Sequence, residues 1–516
     1  MTLSPIAPSL SRFALRLTAA TAAAALLVSC GGGGGYSGGG APSGLPSSSS
    51  LAQYCFAPRP AGTLDPFTNR PYGDIQGSLA NEKDFLRSWI DETYLWYLDV
   101  EALPAATLDA SASATPLVYF DKLKTPLTTA SGKPKDQFHF TYPTPAWVAL
   151  ATAGVSYGYG LGITLAPAKA PNRNAIVAFL EPGATPASAN ALARGAAILT
   201  VDGVDVANGT DLATLNEGLF PTAAAGHTFT IRDFGLATTR NITMTAQAIT
   251  ETPVQFVKTL PAPNSSVGYM LFNDHIATSE AALVSAVNTL KAARITDLVL
   301  DVRYNGGGFL DIAAELAYMI AGPAATTGKV FEQLTFNNRN PFPASSTPFW
   351  TTGHFGTSNG TALPNLGLSR VFVLTTGDTC SASEAIINGL EGANITVHRI
   401  GGTTCGKPYG FYPRDNCNTT YFAIQFQGMN NKGFGDYADG FTPTCVVADD
   451  FSRALGDPLE DQLEVALAFR NNGGTCVPPT SARLRGLGTN RSVADAPTGP
   501  ALARSPFREN RIYRAQ

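Results

Sequence analysis

Residues 371–408 read VFVLTTGDTCSASEAIINGLEGANITVHRIGGTTCGKP, and this stretch decides the fold. The apolar run at 371–374 predicts a buried strand, and apolar residues at helical spacing after Ser381 predict a helix. A second apolar run at 396–400 leads into a glycine-rich loop that carries Lys407. The same alternation of strands and helices extends upstream, which predicts an α/β sheet with largely parallel core strands.

The serine and the lysine of this stretch are candidate catalytic residues. A serine at a strand-to-helix turn exposes its hydroxyl and directs neighbouring backbone N–H groups outward, which suits a nucleophile. A lysine buried on the loop after the next strand favours the neutral amine, which can accept the serine's proton. Ser381 and Lys407 therefore predict a Ser–Lys dyad, one of the convergent variants of the serine-protease triad. The competing interpretation of Ser381 and Glu384 is a helix N-cap with a capping acid.

Two other candidate nucleophiles occur in the chain. Cys380 could act as a thiol nucleophile with His398, which is an alternative to the dyad. Residues 356–360 read GTSNG and match the Gly-x-Ser-x-Gly elbow of α/β-hydrolases, with Ser358 at its centre. Because no apolar strand precedes this motif and no helix follows it, a surface loop is predicted there.

Three motifs occur in order along the chain, namely DVRYNGGG at 301–308, SASE at 381–384 and Lys407 on its glycine-rich loop. In this combination the chain resembles the C-terminal processing, or tail-specific, serine peptidases. The resemblance implies a crotonase-like or ClpP-like α/β catalytic domain that uses a Ser–Lys dyad and needs no cofactor.

The resemblance also implies roles for the residues around the dyad. In this family the glycine turn and the residue after the serine donate the oxyanion-hole N–H groups, here Gly307 among 306–308 and Ala382. Glu384 is a candidate for orienting Lys407. Many family members carry a glutamine four residues after the lysine, where this sequence has Phe411. The substitutes that we consider for that glutamine are Gln425 and Gln427, which lie on a predicted strand at 420–426.

A second resemblance lies in the region 151–250. A glycine-rich turn made of Gly160, Leu161, Gly162 and Ile163 precedes a predicted strand, and further strands and a short helix follow. This order resembles a PDZ domain, in which successive N–H groups bind a peptide's terminal carboxylate and the peptide adds as a strand at the sheet edge. The alternative is a hairpin turn that binds no ligand.

The first thirty residues have the features of an export signal. Arg12 and Arg16 precede an apolar segment at 17–28 that is short for a membrane span. The sequence LVSC at 27–30 resembles a bacterial lipobox, which predicts lipidation of Cys30 and a membrane anchor in the cell envelope. An ordinary secretory signal is the alternative. The Gly/Ser-rich residues that follow predict a flexible tether.

Composition excludes several classes of partner and cofactor. The formal net charge of −4 and a charged fraction of 14% argue against nucleic acid. No Cys-x-x-Cys occurs and the five histidines are scattered, so no metal site is predicted. The glycines at 158, 160 and 162 lack the spacing and the following helix of a nucleotide loop, so no nucleotide cofactor is predicted. The oligomeric state stays open.

The six cysteines after Cys30 form an even set, which suggests disulfides in an exported protein. Cys380 precedes the proposed nucleophile and Cys405 precedes the proposed base by two residues, so these sulfurs are predicted to pair if the dyad forms. The remaining prediction pairs Cys417 with Cys445 and Cys55 with Cys476.

Together these patterns predict an α+β multidomain chain with an α/β catalytic domain. The predicted parts are a lipoprotein signal peptide at 1–29, a linker at 30–50, an N-terminal helical domain at 51–150, a PDZ-like β-rich domain at 151–250, the catalytic domain at 251–476 and a disordered tail at 477–516.

The function predicted is that of a serine endopeptidase that cleaves exported proteins and recognises their unstructured C-terminal tails. The first alternative is a catalytically inactive scaffold of the same fold that binds peptides or other ligands. A second alternative is a hydrolase of esters or amides other than proteins.

Overall fold

A computed structural model describes residues 44–66, 68–165, 167, 169–481 and the backbone of 511–513. The predicted signal peptide, Cys30 and most of the linker lie outside the described residues, as does most of the segment predicted as a tail. Among the helices that are described, none combines the length and the apolar character needed to cross a membrane.

The helices that follow residue 78 pack around an aromatic core. Leu79–Thr93 begins at Ser78, whose hydroxyl accepts the Asn81 N–H, and it buries Phe85 and Trp89. The helix ends at Thr93, and shortly after it Leu95 donates its N–H to Ile424 across the fold. The helices of this region are Ser48–Leu51, Leu79–Thr93, Tyr97–Glu101, Ala105–Leu108, Pro116–Lys122 and Thr144–Ala153.

This helical region shares its core with residues 251–476, the predicted catalytic domain, which is called the catalytic region below. The buried side chains of the helices pack against Tyr409, Tyr421 and Ile424. The strand Phe140–Pro143 also pairs with Thr419–Phe422 from the far end of the sequence. The helices therefore form one wall of the candidate site.

The β-rich region forms a sheet that ends, among the described strands, at Leu161–Leu165. Its strands are arranged in the order Arg240–Thr245, Gly226–Arg232, Ala197–Val201, Ala175–Leu180 and Leu161–Leu165, with Val204–Asp205 beside the third. The helices Thr185–Ala189 and Leu212–Leu219 accompany the sheet, and Val155–Gly158 pairs with Gln247–Thr250 at its base. Leu161–Leu165 is the terminal strand, so its outer edge has no neighbour in this sheet.

The catalytic region is built on a six-stranded sheet with helices on both faces. Its order is Val254–Thr259, Val267–Phe272, Asp297–Asp301, Arg370–Thr375, Thr396–Gly401 and Cys445–Val446. The first pair is antiparallel and every later pair is parallel, as the alternation of elements predicted. Parallel strands buried on both faces read as apolar runs, and all six residues of Val267–Phe272 are buried. The helices are Ser279–Ala292, Leu310–Ala321, Pro323–Thr326, Ala382–Gly392 and Asp461–Asn471.

A second sheet lies beside the first. It is arranged as Ser345–Pro348, Val330–Phe336, Phe426–Met429 and Tyr409–Gly410, while Arg414–Asn416 pairs with Thr419–Phe422. The single strand predicted at 420–426 is wrong, because the chain leaves one sheet after Phe422 and joins the other at Phe426. Just before Phe426, the Gln425 N–H is already donated to the Gly410 carbonyl of the second sheet.

Among the described residues, three disulfides join separate parts of the chain. The pairing of Cys380 with Cys405 is confirmed, with a Cα–Cα distance of 5.2 Å. The other two predicted pairings are wrong. Cys417 pairs with Cys55 because its turn lies beside residue 53, where Gln53 donates its N–H to Asn416. Cys445 pairs with Cys476, which follows the last catalytic helix back to the sheet edge. The molecule is a mixed α/β multidomain protein, as predicted.

Candidate active site

Ser381 lies on a strained turn between a buried strand and a helix. The strand Arg370–Thr375 ends, a turn covers 376–381 (the serine turn), and Ser381 caps the helix Ala382–Gly392. Its backbone has φ 59° and ψ −115°, a conformation that a residue with a Cβ rarely adopts. Such a backbone costs of order 1–3 kcal/mol and persists where the surrounding structure imposes it, which is frequent at functional sites.

A single carboxylate joins the serine turn to the loop 402–407 (the lysine loop). One oxygen of Glu384 accepts the backbone N–H of Ser381 at 2.9 Å and that of Lys407 at 2.8 Å. Its other oxygen accepts the Gly406 N–H at 2.9 Å and the Thr404 hydroxyl at 2.5 Å. The structure therefore brings the two halves of the predicted dyad together at their backbones.

The disulfide strengthens this junction, since Cys380 adjoins Ser381 and Cys405 lies in the lysine loop. The thiol alternative is wrong because both sulfurs form this bond. Glu384 also caps the helix Ala382–Gly392, because its carboxylate accepts the Ser381 N–H, so the capping interpretation is confirmed, although this acid is fully buried. Burial raises the pKa of the Glu384 carboxyl, although hydrogen bonds from Thr404 and three backbone N–H groups act in the opposite direction.

Lys407 is fully buried between aromatic rings. Its Nζ lies 4.0 Å from the centre of the Phe411 ring and 4.9 Å from that of Phe138. The ring faces attract the ammonium form, whereas removal from water favours the neutral amine that a general base requires. Phe411 thus contacts the lysine from the position where the related peptidases carry a glutamine.

The two glutamines considered as substitutes bond elsewhere. The Gln425 side chain pairs with the backbone of Tyr412, and Gln427 donates to the Gly435 carbonyl. The rings that lie against the Lys407 ammonium group are those of Phe411 and Phe138.

The glycine turn, residues 305–308, meets the serine turn through Asn305. The Asn305 carbonyl accepts the Cys380 N–H and the Ser383 hydroxyl, both at 3.1 Å. The side-chain oxygen of Asn305 accepts the Gly307 N–H at 3.0 Å and pairs with His275 Nδ1 at 3.0 Å. Asn305 therefore fixes the shape of one turn and ties it to the other.

His275 is a positioning residue that sequence reasoning missed. Its ring is fully buried, and burial lowers the pKa of the imidazole to about 3. The neutral ring can donate its Nδ1–H to Asn305, while its backbone pairs with the strand Gly307–Phe309. The available signal was its place just after the buried strand Val267–Phe272, at the sheet edge where active sites of α/β proteins form.

The candidate oxyanion donors are Ala382 and a glycine of the turn. The Gly307 N–H, which the sequence favoured, already bonds Asn305. Because the Gly307 carbonyl and the Phe309 N–H both bond His275, the N–H of Gly308 faces the opposite edge. Gly308 has φ 146°, and a Cβ there would lie 2.4 Å from the His275 carbonyl oxygen, so a glycine is required.

Comparison with known proteins relates part of the chain to one family. Residues 266–446 match the model of peptidase family S41. This region is an S41 peptidase domain. A search of curated protein sequences finds no match.

Two solved structures resemble the chain. A putative S41 protease from Bacteroides fragilis NCTC 9343 is 22% identical, with 78% of this chain and 99% of that chain covered and a TM-score of 0.56. The photosystem II D1 C-terminal processing protease is 20% identical, with 74% and 96% covered and a TM-score of 0.46. At this identity the first comparison supports the fold of the S41 domain and of the regions around it.

The predicted carboxylate-binding turn lies at a cavity beside the S41 domain. The cavity is lined by residues 158–163 of the β-rich region, by Leu219 and Phe220, and by Asn273 and Tyr304 of the S41 domain. Thr164, on the edge strand, donates its hydroxyl to Asp378 in the serine turn at 3.0 Å. The edge strand and the serine turn are therefore neighbours.

Three acidic residues line the same cavity, Asp274 and the paired glutamates Glu181 and Glu251. Burial raises the pKa of both glutamate carboxyls, and the proximity of Glu181 raises that of Glu251 further. The pair is therefore held toward its neutral form, which reduces its repulsion of an anionic ligand.

Arg194 connects the β-rich region to the S41 domain. Its guanidinium donates to the Tyr304 hydroxyl at 2.6 Å and to the Asp449 carboxylate at 2.7 Å. Asp449 also accepts from Arg303, which is fully buried and paired with Asp301 and Glu460. The position of the β-rich region thus depends on a charged network beneath the glycine turn.

The Gly-x-Ser-x-Gly motif lies on a short turn, Gly356–Ser358, rather than between a strand and a helix. This geometry agrees with the predicted surface loop.

Proposed function

We propose that the chain is a serine endopeptidase in which Ser381 is the nucleophile and Lys407 the general base. The observation that carries the proposal is the contact of one Glu384 oxygen with the backbone N–H groups of both residues. The strained backbone at Ser381 and the burial of Lys407 support it, since both features suit an activated nucleophile.

The reaction begins when the Ser381 hydroxyl gives its proton to Lys407 and its oxygen bonds the scissile carbonyl carbon. The resulting oxyanion accepts hydrogen bonds from the N–H groups of Ala382 and Gly308. Collapse breaks the carbon–nitrogen bond, and the Lys407 ammonium protonates the departing amine. Water then hydrolyses the acyl-enzyme by the same route. Each oxyanion donor contributes roughly 2.7–4 kcal/mol to stabilisation of the transition state.

The proposed substrates are exported proteins with unstructured C-terminal tails. Support comes from the position of Leu161–Leu165 as the terminal strand of its described sheet, since a peptide that adds as a strand extends a sheet at its edge. The cavity at its start joins the turn 160–163 to the end of the helix Leu212–Leu219, an arrangement that suits a PDZ-like groove. In this proposal Gly160, Leu161, Gly162 and Ile163 bind the terminal carboxylate. The lipobox-like sequence ending at Cys30 extends the proposal to a membrane-anchored protein of the bacterial cell envelope.

The alternative function is an inactive peptide-binding scaffold, which the Phe411 ring favours because it replaces an amide beside the lysine. A Ser381→Ala variant distinguishes the two functions when cleavage and binding of an unfolded reporter protein are measured in parallel. The matched control is Ser358→Ala, since Ser358 belongs to the rejected elbow motif. The peptidase proposal requires Ser381→Ala to lose cleavage and retain binding, with Ser358→Ala unaffected. Unchanged cleavage in Ser381→Ala overturns the peptidase proposal. Turnover of a small ester without peptide cleavage supports a hydrolase of esters or amides other than proteins instead.

A further inference from the structure

A segment from the far end of the sequence lies on the glycine turn. Arg511–Tyr513, the distal strand, pairs in parallel with Gly307–Phe309, and Ile512 lies opposite Gly308. The pairing joins the backbones of two segments that are remote in sequence. The site of contact is the glycine turn itself.

The distal strand occupies the edge of the turn that faces the proposed reaction. The inner edge is already used, because the Gly307 carbonyl and the Phe309 N–H bond His275. Backbone groups of successive strand residues point to alternate sides, so the N–H and C=O of Gly308 face the distal strand. In the register observed, the Gly308 N–H faces the carbonyl of Arg511. A peptide carbonyl therefore lies at the donor that we assign to the oxyanion hole.

The distal strand also lies close to the strand that follows the lysine loop. Arg511–Tyr513 lies beside Tyr409–Gly410, the short strand that begins two residues after Lys407. The segment thus runs between the element that carries the oxyanion donor and the element that follows the base. An extended substrate would have to occupy this space for its carbonyl to reach Ser381.

We propose that Gly307–Phe309 and Tyr409–Gly410 form the two walls of the substrate cleft, in which an extended peptide binds parallel to Gly307–Phe309. The chain's own distal strand fills this cleft as a pseudosubstrate and leaves when a substrate binds. This inference rests on the proposed peptidase function. It adds the orientation of the substrate strand and an intramolecular competitor for the same cleft.

The size of the contact suits a competitor that can be displaced. Three paired residues form a two-stranded contact, and isolated pairs of this kind are marginally stable. Because the competitor belongs to the same chain, its occupancy is independent of protein concentration. A cleft that is filled for two thirds of the time would raise the apparent KM about threefold without changing kcat.

The first experiment compares the full chain with a variant that ends at Ser481 and with two proline variants. Tyr513→Pro removes the N–H that faces the Gly308 carbonyl, whereas Ile512→Pro removes one that points away and is the matched control. We expect truncation and Tyr513→Pro to lower the KM for an unstructured peptide reporter about threefold, with kcat unchanged. Ile512→Pro should retain the KM of the full chain. Equal KM values in the full chain and the truncated variant overturn the inference.

The second experiment measures binding without cleavage. A labelled peptide with the sequence of residues 506–516 is added to the truncated Ser381→Ala protein and followed by fluorescence anisotropy. The inference requires this peptide to bind, to bind the full-length Ser381→Ala protein more weakly, and to lose affinity when Tyr513 is replaced by proline. If the peptide binds but no variant cleaves any reporter, the cleft assignment stands and the peptidase function falls. If cleavage is present and the peptide fails to bind, the inference falls and the function stands.

Discussion

The candidate active site around Ser381 (the reaction centre) and the β-rich region differ in how firmly their surroundings hold them in place. Around Ser381 a disulfide, one carboxylate and one asparagine link three turns, and Cys380, Glu384 and Asn305 are fully buried. The β-rich region meets the S41 domain through Thr164 near the serine turn and through Arg194 beneath the glycine turn. Changes at the reaction centre should therefore affect the rate of the chemical step, whereas changes at the junction should affect access of the substrate.

The largest effect is expected for loss of the proposed base. Lys407→Ala should lower kcat at least 10²-fold, because positioned general bases contribute about 10²–10⁴-fold. Lys133→Ala, at an exposed lysine, is the control and should leave kcat unchanged. Cleavage of a peptide reporter and labelling of Ser381 by a fluorophosphonate provide the measurements. Labelling of Lys407→Ala at the rate of the parent protein would show that another group activates the serine.

A smaller loss is expected for Glu384→Gln. The amide keeps one acceptor oxygen where four donors converge, so buried N–H groups lose their partners at about 1–3 kcal/mol each. We expect kcat to fall by about tenfold or more and the melting temperature to decrease. The control Glu391→Gln alters a partly exposed pair with Arg399. An unchanged kcat in Glu384→Gln would show that the dyad is aligned without this carboxylate.

Substitution of Arg194 tests the other side of the comparison. Arg194→Ala removes the bonds to Tyr304 and Asp449, so the β-rich region should lose its fixed position over the S41 domain. We expect the KM for a long unstructured protein to change several-fold and the turnover of a small ester to stay within about twofold. Arg240→Ala is the control, since Arg240 pairs with Asp233 inside the β-rich region. Equal effects on both substrates would mean that Arg194 supports the reaction centre itself.

The smallest effect is expected for Glu332, which lies in the second sheet. Burial raises the pKa of its carboxyl from 4.5 to about 8. The folded state therefore holds a proton that the unfolded chain releases above about 4.5, so stability is full at low pH and falls as pH rises toward 8. Glu332→Gln does not titrate and should melt about 2 °C or more above the parent protein at pH 8, with a smaller difference at pH 5. A difference that is constant across this range would contradict the raised pKa.

Local sequence patterns predicted the elements that carry Ser381 and Lys407. The buried strand, the serine turn, the helix after Ser381 and the lysine loop follow from apolar spacing and glycine placement within one short stretch. The pairing of Cys380 with Cys405 followed from the same reasoning, because both residues neighbour the proposed dyad.

Long-range packing accounts for what the sequence did not show. Cys417 and Cys55 meet because the turn after Asn416 lies against residue 53, which is far from it in sequence. The role of Asn305 depends on His275 and Cys380 arriving from two other strands. The break of the strand at 423–425 similarly results from a change of sheet partner rather than from residue propensity.

The bond between Cys380 and Cys405 makes the alignment of Ser381 and Lys407 depend on whether the surrounding compartment is reducing or oxidising. A newly made chain in a reducing compartment has two free sulfhydryls where the mature protein has a covalent tie. We expect such a chain to hold the lysine loop less firmly and to hydrolyse peptides slowly until oxidation occurs. If the chain is exported as proposed above, its full activity arises only after it has left the cytosol, and cytosolic polypeptides are spared during synthesis.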